Sequence, residues 1–173
     1  MDFAARIALR NRIRAMVEPI ARDVGCEVIA VEVSASRSNA VLRISVDREG
    51  GASIRDCAKI TRTLNPELDA EDPVPVPYQL EVSSPGQERP LERPADFNRF
   101  AGFRVKLRGP NELGKRRWSG ILRGIEDGAV LVEKPDALER VPLDQIERAH
   151  LDLTPEEFMR LGAARSNAEG VEP

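Results

Sequence analysis

The chain has 173 residues, 41% of them apolar and 32% charged, with a formal net charge of −3, a size and balance that suit one or two small domains. Two cysteines without CxxC spacing and a single histidine exclude a structural zinc site, which needs four ligands, so no metal and no cofactor is expected. Aromatic residues are only 4% of the chain, too few to build base-stacking platforms that read single-stranded RNA.

In chain order, Ile13, Met16, Val17, Ile20 and Val24 recur at helical spacing, which predicts an amphipathic helix from about Phe3 to Val24, closed by Gly25. Arg6, Arg10, Arg12 and Arg14 interrupt this segment, so it is neither a signal peptide nor a membrane span, and a cytoplasmic location is expected. Glu27 to Val33 reads as a strand that is apolar on both faces, hence as a central one. Val41 to Asp47 reads as a second strand with Leu42, Ile44 and Val46 inward. Ser53 and Asp56 form a variant capping box for a second helix whose buried stripe is Ile54, Cys57, Ala58, Thr61 and Leu64, interrupted or ended at Pro66. An acidic, proline-punctuated loop from Asp69 to Pro77 leads to the next strand.

That strand opens the stretch Tyr78 to Leu91. Tyr78, Leu80 and Val82 alternate with Gln79, Glu81 and Ser83, and Pro85-Gly86 predicts a type II turn over Ser84 to Gln87 with Gly86 at positive φ. The Ser84 hydroxyl is expected to bond amides of that turn. Arg89 precedes Pro90 and is pushed extended, giving a short stiff connector. The hinge and turn residues are therefore Ser83, Ser84, Pro85, Gly86, Arg89 and Pro90. Pro94 to Ala101 is a short helical turn ended by Gly102.

Beyond it, apolar alternation returns at close intervals: Phe103, Val105 and Leu107; Trp118, Gly120 and Leu122; Val130 and Val132; Val141 and Leu143; Ala149 and Leu151. Five short strands with turn signals at Gly109-Pro110, Asp127-Gly128 and Pro135-Asp136 predict a small β-barrel with no lumen for a substrate. Trp118 is assigned to packing. Thr154-Pro155-Glu156-Glu157 starts a last helix, expected to stop at Gly162 and to dock through Phe158 and Leu161.

The run Leu80-Glu81-Val82-Ser83-Ser84-Pro85-Gly86, then Arg89-Pro90-Leu91, Asp96-Phe97, Arg99 and Gly102, resembles the signature of the bacterial ribosome maturation factor RimP family. Asp47, Gly51, Asp56 and Cys57 match the same family's strand-to-helix segment, whereas Gln87, Ala52 and Arg55 depart from it. The resemblance covers roughly residues 10 to 153 and implies an α+β fold. Residues 1–86 would form an α-β-β-α-β domain with two helices on a three-stranded sheet, and 87–102 a connector with a short helical turn. Residues 103–153 would form an SH3-like or Sm-like barrel, followed by a helix and frayed tail over 154–173. It further implies a non-catalytic assembly factor of the small (30S) ribosomal subunit that meets rRNA and small-subunit ribosomal protein twelve.

Charge points to the same half of the chain. From Glu88 to Arg123 ten basic residues face four acidic ones, a local net of +6 that leaves −9 for the remainder. Arg104, Lys106 and Arg108 alternate outward along one predicted strand, and Lys115, Arg116 and Arg117 of the next are close enough to extend the patch, a surface suited to phosphate oxygens. Two rival readings exist. An Sm-like regulator of free RNA would need ring assembly and stacking aromatics. A hydrolase built on Ser84 would need the Gly-x-Ser-x-Gly elbow, which is missing, and a nearby histidine. Nothing in the sequence requires more than a monomer.

Overall fold

A computed structural model describes residues 2–86, 88–111 and 114–167. The chain divides into two compact units, Met1–Pro85 and Gly86–Pro173.

The first unit runs α1 (Phe3–Asp23), β1 (Glu27–Ala35), β2 (Ala40–Asp47), α2 (Ile54–Glu71) and β3 (Tyr78–Ser83). Of the expected helical stripe of α1, Ile13, Val17 and Ile20 are buried and Met16 and Val24 half-buried, and Leu9 and Ala21 are buried with them. Asp2 caps its start by accepting from the Ala5 N–H at 2.7 Å, and Gly25, at φ 75°, closes its end. The sheet order is β1-β2-β3, antiparallel then parallel, so β2 is central and β1 lies at an edge, contrary to the sequence reading. α1 lies along β1, and Arg14 donates to the Val28 and Ile29 carbonyls at 3.3 and 3.4 Å beside a bulge in the register, so the start of this edge strand is occupied.

Ser53 and Asp56 form the expected capping box, and the bonds from the Ser53 backbone and hydroxyl hold the Asp56 carboxyl below its ordinary range. Pro66 does not end α2, which continues to Glu71 with Pro66 inside it. The buried stripe accordingly shifts to Ile60, Leu64 and Leu68, while Ala58 is exposed and Ile54 is 90% exposed. Cys26 is buried and Cys57 half-buried in this unit. Burial, reinforced by the Asp56 carboxylate, pushes both thiols above the ordinary range.

The second unit runs α3 (Pro94–Arg99), β4 (Arg104–Asn111), β5 (Gly114–Glu126), β6 (Ala129–Glu133), β7 (Leu138–Pro142), a 3-10 turn (Leu143–Gln145), β8 (Arg148–Leu151) and α4 (Pro155–Asn167). All five strands are antiparallel in the order β7-β6-β5-β4-β8. Among the described residues β7 and β8 do not pair with each other, so the architecture is a five-stranded antiparallel sheet and not a closed barrel. Its core centres on Phe97, Leu107, Trp118, Leu122, Val132 and Leu151, with Phe158 and Leu161 packed against it.

Gly109-Pro110 is not a turn. Both residues continue β4, and Gly109 is required by close approach instead, because a Cβ there would fall 2.0 Å from the Gln145 carbonyl oxygen. Asp127 and Gly128, at φ 49° and 73°, do form the tight β5–β6 turn, the pair of positive φ values that matches strand twist. Thr154 and Glu157 exchange capping bonds at the start of α4, which passes Gly162 and reaches Asn167. The tail expected to fray begins within α4, and 168–173 lie outside the described residues.

Two outcomes follow from this packing. Gly109→Ala forces backbone apart at the β4 crossing and costs about 1–3 kcal/mol in urea unfolding, an overpacking penalty; unchanged stability would refute the close approach. Raised thiol pKa values leave little thiolate, so at about pH 8 DTNB modifies both cysteines about tenfold or more slowly in the folded protein than in the unfolded one, and the folded rate climbs with pH.

Candidate nucleic-acid interface

Strand alternation on β4 decides the surface. Val105 and Leu107 are 1% and 2% exposed, whereas Arg104 and Lys106 are exposed and Arg108 is half-buried on the opposite face. Antiparallel pairing then sets what stands beside each cation. Lys106 lies opposite Ser119 of β5 on one side and His150 of β8 on the other, and Arg108 lies opposite Arg117 and Arg148. Neighbouring strands are about 4.8 Å apart, so the row Arg148-Arg108-Arg117 holds three guanidinium groups across roughly 10 Å of sheet. The same six residues line a cleft of about 400 Å³.

Electrostatics differ from one end of this face to the other. Asp152 takes Lys106 Nζ at 2.9 Å and Arg104 Nε at 3.9 Å, partly neutralising that end. Among the described residues, neither Arg108 nor Arg117 has an anionic partner within ion-pair distance. Like charges set directly opposite repel and cost stability. An anion lying along the row would remove that cost.

Of the six sequence-predicted binding residues, Arg104, Lys106, Arg108 and Arg117 share this face. Arg116 does not. It points to the other side of β5, where its guanidinium sits 5.0 Å from the ring centroid of buried Trp118. The Lys115 side chain lies outside the described residues, although its backbone pairs with Pro110. Sequence reasoning misses Arg148 and His150 because they lie about forty positions along the chain and only the β4–β8 pairing brings them in. The alternation of Arg148, His150 and Asp152 with buried Ala149 and Leu151 is the available signal.

Of the turn residues, Ser83 ends β3, and Gly86 does not have a left-handed φ, so the expected type II turn at Gly86 does not form. Among the described residues the Ser84 hydroxyl makes no hydrogen bond. Further along, the chain is extended because the second unit's sheet claims it. Leu91 N–H donates to the Ala149 carbonyl at 2.8 Å, Leu151 N–H donates to the Arg89 carbonyl at 2.8 Å, and Pro90 bridges to His150. Arg89 is 8% exposed, its guanidinium 5.2 Å from the Phe100 ring centroid, so it serves packing inside the second unit.

No helix among the described residues is long and apolar enough to cross a membrane. Residues 16–88 match the family model of the RimP N-terminal domain.

Proposed function

We propose, from the match of residues 16–88 to the RimP N-terminal domain, that the chain is a ribosome maturation factor of the RimP family and acts as a non-catalytic assembly factor of the small ribosomal subunit. It docks on the free subunit, touching rRNA through the second unit and protein, with small-subunit ribosomal protein twelve as the direct partner, through the first. The observation that carries this reading is the row of three arginines, Arg148, Arg108 and Arg117, across β8, β4 and β5, with Lys106 beside it on β4. Such a row meets phosphate oxygens without reading bases, which suits a factor that recognises folded rRNA by shape. Binding that favours one rRNA conformation shifts its population, and no bond need be made or broken.

The strand order supports an SH3-like assignment for the second unit, since the last strand follows a 3-10 turn and returns to pair with the first. Within this reading residues 87–102 lead into that module, the chain hinges at Ser84, Pro85 and Gly86, and the protein acts as a cytoplasmic monomer. The rival role, regulation of free RNA, requires exposed stacking aromatics, and among the residues lining the cationic cleft Trp118 is only 5% exposed, which leaves the His150 ring alone beside Lys106, Arg108, Arg117, Ser119 and Arg148.

The test is co-sedimentation with free small subunits over a range of salt. Arg108→Glu combined with Arg117→Glu should weaken binding by tenfold or more and flatten the dependence of log K on log salt by about 0.7–0.9 for each phosphate no longer neutralised. Unchanged affinity would remove this face from the interface. Asp152→Asn, which releases Lys106 and Arg104, should strengthen binding by up to about fivefold, the range open to exposed ion pairs; weaker binding would contradict it.

A further inference from the structure

β3 stands at the open edge of the first unit's sheet. The Ala40 N–H donates to the Pro77 carbonyl at 2.8 Å, which turns that carbonyl toward β2. By strand alternation the N–H and C=O groups of Tyr78, Leu80 and Val82 then point the other way, out of the sheet. Among the described residues no strand pairs with them. An unpaired edge of this kind is a template for another chain, and proteins ordinarily blunt it.

Beside that edge is a cleft of about 680 Å³ with Val76, Tyr78 and Leu80 among its lining residues, together with Asn65 and Asp69 of α2 and its C-cap Asp72. Asp69 and Asp72 are exposed, and neither has a cationic partner among the described residues. They also sit where a helix least favours them. The C-terminal end of α2 carries the negative end of the helix dipole, its last turn holds no basic residue, and Asp72 occupies the left-handed cap at φ 40°. Two carboxylates that raise the local cost of the helix, lining a groove of mixed polar and apolar character beside an unpaired strand edge, complement a cation supplied from outside.

We propose that this groove binds an extended, basic polypeptide segment, which adds as a fourth strand on β3. Its backbone pairs with Tyr78, Leu80 and Val82, one apolar side chain enters the cleft, and lysine or arginine side chains lie over Asp69 and Asp72. Main-chain bonds supply affinity in this mode, and the alternating pockets and charges supply selectivity. The proposal deepens the reading that the first unit grips protein, and it specifies which chemistry that protein presents.

The experiment titrates the full-length chain with a capped decapeptide of alternating lysine and valine, followed by calorimetry. Controls are a version N-methylated at every second residue, which keeps charge but cannot pair along an edge, and an alternating glutamate–valine peptide. The wild type should bind the basic peptide at least tenfold more tightly than either control. Asp69→Lys with Asp72→Lys should erase that preference, whereas Arg108→Glu with Arg117→Glu should leave it intact. Equal binding of the N-methylated peptide, retention of the preference by the aspartate variant, or no binding at all would overturn the proposal. So would a dimer in sedimentation equilibrium that the peptide dissociates, since it would assign the edge to a second copy of the chain. Small-subunit co-sedimentation of the same proteins separates the two claims. Failure of the wild type to bind subunits defeats the maturation role, and wild-type subunit binding without the peptide preference defeats only the groove.

Discussion

The register between β8, β4 and β5 is the constraint from which the functional surface follows. Shifting β4 by one residue against either neighbour would turn Lys106 and Arg108 inward and Val105 and Leu107 outward, emptying the core and scattering the charge together. The apolar half of each strand therefore fixes where the cations go. Leu107, Trp118 and Leu151 bury the inner face, and burial at this scale contributes about 1.5–3 kcal/mol per large side chain, enough to hold neighbouring arginines against their mutual repulsion. The proposed rRNA-binding surface is the outer face of the same alternation that folds the unit.

The first unit solves a different problem with similar means. A three-stranded sheet has two edges, and the sequence treats them unequally. Arg14 from α1 occupies carbonyls near the start of β1 and a bulge breaks its regularity, while β3 keeps a regular six-residue edge next to an acidic helix end. The contrast is informative because both edges belong to one small domain under one set of stability demands. The edge left available lies beside a groove lined by Asp69 and Asp72, whereas the outer face of β4 carries Arg104, Lys106 and Arg108, so these two local surfaces suit two kinds of polymer, one cationic and one anionic.

Much of this is legible in the sequence. Period-two alternation locates every strand, helical spacing locates α1 and α2, and the signature around Leu80 to Leu91 points to the family whose domain model matches residues 16–88. The misreadings share a cause, which is that tertiary packing overrules local punctuation. Gly109-Pro110 looks like a turn but is a strand glycine under Gln145; Pro66 and Gly162 look like helix stops but sit within α2 and α4. Gly86 looks like a turn residue because of its neighbours, but the chain beyond it, at Arg89 and Leu91, is drawn onto β8. The candidate site is half visible: alternation gives Arg104, Lys106 and Arg108, but placing Arg116 with Arg117 ignores that adjacent strand residues face opposite ways. Arg148 and His150 require the long-range pairing that no local pattern supplies.

A backbone footprint of the protein on immature small subunits, by hydroxyl-radical cleavage of the rRNA, addresses the central claim most directly. The account predicts a compact set of sugar–phosphate protections on the free subunit that fades as salt rises and is absent from assembled ribosomes. Protections that persist unchanged on assembled ribosomes, or a bound protein that shields no rRNA backbone, would contradict it.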